Sequence, residues 1–281
     1  MNIITSIKEM QSLADSYREQ GKRIGVVPTM GYLHEGHCSL LRTMRKNCDI
    51  LVMTLFINPT QFGPSEDYNK YPRDFQRDRQ LAEKEGTDII FTPSAEEMYP
   101  PDFKTFVEVS GMSEVMCGKF RPGHFKGVAT IVAKLFTIIK PHSAIFGQKD
   151  AQQVAILKKM VRDLNFDIEV IINPIIREQD GLAMSSRNVY LKTDERTEAR
   201  ALSQSLFLAN ELVVKGENSA ENLKQKMEEF IQNFSLIKLE YIAVVNPDTL
   251  EPVERIENSV LIALAARVGA ARLIDNLLIK I

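Results

Sequence analysis

The order of apolar and polar residues divides the chain into two stretches. Over the first two-thirds, short apolar, β-branched runs alternate with segments of helical spacing. Residues 23–28 (RIGVVP), 49–57 (DILVMTLFI), 88–91 (DIIF), 105–109 (TFVEV), 143–146 (SAIF) and 168–172 read as strands. Apolar character that is continuous rather than alternating, clearest in 49–57, suits parallel strands covered on both faces. Between these runs, residues 36–47 place Leu40, Leu41 and Met44 at helical spacing. Residues 73–85 read as a polar-faced helix stopped by Gly86. Residues 126–140 carry Val128, Ile131, Val132, Leu135, Ile138 and Ile139 ahead of Pro141, and residues 150–164 read as a further helix. This rhythm predicts an α/β fold with a doubly wound parallel, Rossmann-like sheet. Such sheets bind ligands beyond the carboxyl ends of their strands. The loops 28–37, 58–63 and 147–150 all follow predicted strands.

The last third differs. Residues 193–215 and 220–234 read as helices, and 239–245, 260–265 and 273–281 as strands. Helices followed by strands predict a smaller C-terminal α+β domain. The boundary is expected between Asn173 and Ser186 and is set at 176/177.

Composition narrows the class. Of the 281 residues, 44% are hydrophobic and 26% charged, which excludes disorder, collagen-like repeats and disulfide scaffolds. Lys plus Arg number 35 and Asp plus Glu 37, a formal charge of −2, so no global field attracts nucleic acid. The first twenty residues lack an apolar signal core, and no run of about 20 apolar residues occurs. A cytoplasmic protein with no membrane and no nucleic-acid partner is expected. The cysteines, Cys38, Cys48 and Cys117, suit reduced thiols. Of the four histidines, His34, His37 and His124 fall in motif-like loops, and His142 reads as a solvated turn residue after Pro141.

Five segments carry candidate chemistry. His34-Glu35-Gly36-His37 sits where the first loop enters its helix. Two imidazoles there, with free helix N–H groups and close approach at Gly36, suit a phosphate. The same residues also fit two surface histidines. Zinc would need a second ligand pair of suitable spacing, and a P-loop would need Lys-Ser/Thr where His37-Cys38 stand. Asn58-Pro59-Thr60-Gln61-Phe62 offers amide donors and acceptors for a small hydroxylated acid, or is a turn. Arg121-Pro122-Gly123-His124-Phe125 precedes a long helix and could bind an anion, or is helix-entry punctuation with a solvated Arg. Phe146-Gly147-Gln148-Lys149-Asp150 offers a point charge at Lys149 and a helix cap at Asp150, with Gln153 one turn in. Ala183-Met184-Ser185-Ser186-Arg187-Asn188 makes a polyphosphate clamp or a polar linker.

Taken together, PTMGYLHEGH, NPTQF, YPRD, RPGHFKGV, FGQKDAQQ and MSSRN resemble the pantoate–β-alanine ligase (pantothenate synthetase) family. The matches run from Pro28 to Asn188. His34 to His37 look like the HxGH signature of the nucleotidyltransferase superfamily, and Met184 to Arg187 like its KMSKS counterpart. The resemblance implies ATP-dependent condensation of pantoate with β-alanine through a pantoyl-adenylate, releasing AMP and pyrophosphate. It implies an ATP site at Met30, Gly31, Tyr32, Leu33, His34, Glu35, Gly36, His37, Gly147, Gln148, Lys149, Asp150, Ile176, Met184, Ser185, Ser186 and Arg187. His37, His34 and Lys149 are the expected catalytic groups. Gln61 is assigned to pantoate and β-alanine and Gln153 to pantoate, and Asn58, Arg121 and His124 are further substrate candidates. Mg²⁺ is implied, with Asp78 the nearest match for a ligand and Asp74 a weaker one. The expected layout is a nucleotide- and pantoate-binding domain of residues 1–176, a lid of residues 177–281, and a homodimer. An AMP-transferring nucleotidyltransferase and a catalytically silent ATP-binding module are the rival readings. The first should need a cationic acceptor site in place of Asn58 and Gln61.

Overall fold

The strands Asn2–Ile4 (β1), Ile24–Thr29 (β2), Ile50–Leu55 (β3), Ile89–Phe91 (β4), Ser143–Gly147 (β5) and Glu169–Asn173 (β6) make one sheet in the order β1-β4-β3-β2-β5-β6. Every pairing in it is parallel. The structure is a computed structural model describing residues 1–64 and 66–280. Strand order reverses at β2, which has β3 on one side and β5 on the other. Its carboxyl end is therefore the topological switch point where such sheets take ligands.

The connecting helices are Ile7–Glu19 (α1), Glu35–Arg45 (α2), Phe75–Lys84 (α3), Ala95–Met98 (α4), Cys117–Phe120 (α5), His124–Ile139 (α6) and Ala151–Asp163 (α7). Leu40, Leu41 and Met44 of α2 pack with Val27 of β2, Leu51 and Met53 of β3 and Ala82 of α3 in one buried cluster. Helix α6 is apolar nearly all round, and twelve of its sixteen residues are buried, as expected of a helix enclosed on most sides. It stops at Lys140, in the left-handed region at φ +48°, directly before Pro141.

The later elements are Thr193–Ala199 (α8), Ala201–Val214 (α9), Ala220–Ile231 (α10) and the antiparallel strands Ile237–Val245 (β7), Val260–Val268 (β8) and Ala271–Ile279 (β9). Leu202 and Leu206 of α9, Leu223 and Met227 of α10, and Ile262 and Leu264 of β8 share their core. Contacts divide the chain into one unit of residues 1–147 and 156–173 and another of residues 148–155 and 174–281. Sequence patterning suggests a single cut at 176/177. The contacts additionally draw the turn after β5 and the start of α7 into the later unit.

Several expectations are corrected. Residues 105–109 form no strand. The Val107 N–H bonds the Thr130 hydroxyl of α6 at 2.9 Å, so a side chain stands where a ladder partner was expected. The helix expected over 193–215 is two helices meeting at Arg200. The polar N-terminus supplies β1 and α1, and β1 is only three residues long, too short for a periodic signal. His142 is not simply solvated. Its Nδ1 accepts the Ile24 N–H at 2.9 Å, at the start of β2.

Candidate active site

The chain leaves β2 through a left-handed turn, with Gly31 at φ +85° and Tyr32 at φ +50°. Leu33 then inserts into the core with no exposure, and His34 becomes the N-cap of α2 in extended conformation. His34 Nδ1 accepts the Gly36 N–H at 3.1 Å, and His37 Nδ1 accepts the His34 N–H at 3.3 Å. The two rings lie 4.1 Å apart, tilted by 36°. A backbone N–H can only donate, so each neutral ring carries its proton on Nε2. The pair therefore places two Nε2–H donors at the positive end of a helix, where anionic oxygens are favoured.

The ATP assignments in this loop differ in kind. Leu33 is a core side chain, which leaves only its backbone for a nucleotide. The Glu35 carboxylate pairs with Arg42 of its own helix, and Arg42 also binds Glu85 at 2.6 Å. Glu35 is thus committed along α2, and its acidity is not aimed at a phosphate. Met30, Tyr32, His34, Gly36 and His37 are half-buried around the turn, and Gly31 is buried.

Asp78, on α3, explains the shape of the turn. It is 1% exposed. Its two oxygens accept the N–H groups of Tyr32 and Leu33, each at 2.7 Å. A Cβ at Gly31 would sit 3.0 Å from Asp78 Oδ2. Burial pushes the Asp78 carboxyl up, against the downward pull of the two N–H bonds. As a metal ligand it is a poor fit, because both oxygens already serve the backbone and the side chain is closed off from the turn's open face. Asp74 accepts the Arg77 N–H as the N-cap of α3. Among the described residues no group of three or more His, Cys, Asp or Glu could hold a metal ion.

The loop after β3 contains a second network. Asn58 is 1% exposed and fully engaged. Its amide nitrogen donates to Gly127 O and Gln61 Oε1, both at 3.1 Å. Its oxygen accepts from the Thr60 N–H and hydroxyl and from the Tyr99 hydroxyl at 2.8 Å. Asn58 thus ties the Gln61 side chain to the Gly127 carbonyl of α6. Gln61 keeps Nε2 on the soft Met30 sulfur at 3.1 Å, a weak acceptor that a substrate oxygen can replace. Arg121 forks onto Glu66 at 2.6 and 2.7 Å. Its Nη1 also meets His124 Nε2 at 2.9 Å, while His124 Nδ1 meets Gln61 O at 2.8 Å. Guanidinium cannot accept and a carbonyl cannot donate, so His124 is the Nδ1–H tautomer. Arg121 and His124, expected to bind an anion, both contact the main-chain carbonyl of Gln61. Burial raises the Glu66 carboxyl, but the hydrogen bond and charge of Arg121 outweigh it and hold Glu66 below its ordinary value.

The later unit holds the remaining candidates. Gln148, Lys149 and Asp150 form a single 3-10 turn ahead of α7, with Gln153 half-buried in the helix's first turn. Gly147 is the last residue of β5 in the other unit. Ile176 O accepts the Met184 N–H at 3.0 Å. Ser185 caps the short helix Ser186–Tyr190, its hydroxyl accepting the Arg187 N–H at 3.2 Å. Ser186 is 8% exposed. Lys149 and Ser185 line one small recess with Ala183 and Asp275.

Sequence reasoning missed Gly127 and Asn276. A Cβ at Gly127 would meet Thr60 O at 2.4 Å, so α6 touches the Gln61 loop backbone to backbone. A glycine inside an apolar helix was the available signal, since it costs about 1 kcal/mol against Ala unless packing requires it. Asn276 carried no signal, because its partners at 148 and 149 are far away in sequence. The cysteines match no part of the site. Burial pushes the Cys48 thiol up to about 11 and raises that of Cys38, which keeps both protonated.

Comparison with known proteins is consistent across three kinds of match. Residues 2–278 match the family model described as Pantoate-beta-alanine ligase. The chain is 58% identical over 276 residues to the pantothenate synthetase of Thermotoga petrophila, covering 98% of this chain and 99% of that protein. It is 55% identical over 281 residues to that of Caldicellulosiruptor saccharolyticus, covering all of both. Its fold superposes on the crystal structure of pantothenate synthetase from Thermus thermophilus with a TM-score of 0.93 at 42% identity, covering 99% of each chain. The Francisella tularensis pantoate-beta-alanine ligase, complexed with beta-gamma ATP and beta-alanine, superposes with a TM-score of 0.80 at 33% identity, covering 99% of this chain and 97% of that one.

Proposed function

The chain belongs to the pantoate–β-alanine ligase family, and we propose that its own residues divide that ATP-dependent condensation into two steps. In the first, the pantoate carboxylate attacks the α-phosphorus of ATP. A P–O bond forms, the bond to the β-phosphate breaks, and pyrophosphate leaves. In the second, the neutral amine of β-alanine attacks the acyl carbon of the pantoyl-adenylate. An amide forms, AMP leaves with the bond electrons, and the amine's proton passes to solvent.

The observation that carries this reading is the tautomer lock on His34 and His37. The first step joins an anion to an anionic triphosphate, so it needs donors fixed in advance. Preorganised donors of this kind are worth several kcal/mol in the transition state. Both rings aim Nε2–H away from the cap they make. His37 acts here as a hydrogen-bond donor to developing charge, and no proton shuttle is required of it. Lys149 neutralises phosphate as a point charge, with Ser185, Ser186 and Arg187 as further phosphate donors. Gly147, Gln148, Asp150, Ile176 and Met184 complete the ATP assignment. Gln61, released from Met30, binds pantoate and then β-alanine, and Gln153 binds pantoate. Holding the two substrates in line can supply roughly 7–11 kcal/mol. Magnesium, when it accompanies ATP, supplies charge neutralisation of the triphosphate.

The same reading places the protein in the cytoplasm as a homodimer, which sedimentation of the purified chain would test. No described helix is long and apolar enough to cross a membrane. The deciding experiment measures AMP and pyrophosphate release with pantoate and β-alanine supplied together and singly. Release of both products only with both substrates is expected, together with pantoate-dependent exchange of labelled pyrophosphate into ATP without β-alanine. ATP consumption that yields no AMP would sink the reading.

A further inference from the structure

Asn276 lies on β9, 2% exposed, and every hydrogen-bonding group of its side chain is used on one target. Its amide nitrogen donates to Gln148 O and to Lys149 O, each at 2.9 Å. Its amide oxygen accepts from Gln148 Nε2 at 3.0 Å. The neighbouring Asp275 is 3% exposed and is itself pinned, accepting from Arg177 Nη1 at 2.6 Å and Nη2 at 3.0 Å. Asp275 Oδ1 also accepts the Asn276 N–H at 2.8 Å. Arg177, Asp275 and Asn276 thus form a rigid chain that ends on two consecutive carbonyls.

Those carbonyls belong to the 3-10 turn of residues 148–150. A single 3-10 turn is held only weakly by its own hydrogen bonds, whose geometry is poor. Fixing the carbonyls on both sides of the Lys149 Cα fixes where its side chain leaves the backbone. Without Asn276 both part-buried carbonyls lose this partner, and losing a hydrogen bond there is costly. An amide is the side chain that can give two donors and one acceptor from a single short arm.

We infer that Asn276, held by the Arg177–Asp275 pair, is a positioning residue for adenylate formation, setting the direction of Lys149 through the carbonyls of residues 148 and 149. This rests on the reading of Lys149 as a phosphate-neutralising group.

The test is a double-mutant cycle on the full-length enzyme, read by pantoate-dependent exchange of labelled pyrophosphate into ATP. Enzyme concentrations are set high enough to follow residual rates. Asn276→Leu keeps the volume and removes all three hydrogen bonds. The exchange rate is expected to fall about 10- to 100-fold, as for a misplaced catalytic group. In a Lys149→Ala background the same substitution should change the residual rate by no more than about twofold. A full further loss in that background, or a wild-type rate for Asn276→Leu alone, overturns the inference. A wild-type rate for Lys149→Ala overturns the reading of Lys149 and the inference with it. If Asn276→Leu fails to fold by circular dichroism, Asn276→Ser is put through the same cycle. Its smaller loss should again vanish beside Lys149→Ala, and a persisting loss overturns the inference.

Discussion

His34 and His37 cap one helix through the same ring atom: His34 Nδ1 takes the Gly36 N–H while His37 Nδ1 takes the His34 N–H. The cap uses one side of each ring, and the proposed chemistry uses the other. Structure occupies Nδ1, and Nε2–H is a directed donor on the far side. Replacing His37 by Ala should slow pantoate-dependent pyrophosphate exchange by about 10²- to 10³-fold, the usual loss for one preorganised donor. The melting transition should record only the lost cap, about 1 kcal/mol. Equal losses of stability and exchange would show that the ring is scaffold.

Asp78 tests a different division of labour. In Asp78→Asn one loop N–H keeps an acceptor and the other faces an NH₂ group. Stability should fall by about 1–3 kcal/mol in urea unfolding, the range for a buried donor left unpaired. The KM for ATP should rise more than that for pantoate, because the 30–34 turn loosens. The magnesium concentration giving half-maximal rate should stay where it is. A marked rise in that concentration would restore Asp78 as a metal ligand.

Gly127→Ala places a methyl group 2.4 Å from Thr60 O, and backbone must move. A destabilisation of about 1–3 kcal/mol is expected from such overpacking. The loop that shifts carries Gln61, so the KM for pantoate should increase while ATP binding, followed by calorimetry, is spared. Unchanged pantoate kinetics would separate the two.

His142 gives the pH prediction. Burial, followed by the charges of Arg18 and Arg23, lowers its pKa below 6.5, and its Nδ1 must stay unprotonated to accept the Ile24 N–H. The unfolded chain thus binds this proton at higher pH than the folded one. The contribution is present above the unfolded pKa and is lost as pH falls through the folded one. His142→Asn offers a non-titrating acceptor in a similar place. Its urea midpoint should decline less than the wild type's between pH 7.5 and 5.5, and parallel declines would contradict the assignment.

The parallel sheet and most of its helices are legible in the chain because burial on both faces writes itself locally. DILVMTLFI reads as an enclosed strand by its length and β-branched content, and Val128 to Ile139 as an enclosed helix by its spacing. The same local signal misleads at residues 105–109, where a short β-branched run is present and Thr130 takes the Val107 N–H instead of a strand. It is silent at β1, whose three residues are recruited by pairing to β4.

The site divides along the same line. Sequence alone singled out the segments proposed to carry the chemistry, since residue type and order within a loop are local properties. It singled out the His pair, Gln61, Lys149 and the Ser-Ser-Arg segment as candidates, and it pointed to the family that the comparisons show. It left open what each polar side chain faces. Asn58, Arg121 and His124 turn inward onto the Gln61 loop, Asp78 onto the turn after β2, and Asn276 onto the carbonyl of Lys149. Tertiary structure alone decided these contacts. A hydrogen bond is chosen by which partner is near in space, and Asp78 and Asn276 meet theirs across 45 and 127 residues of chain.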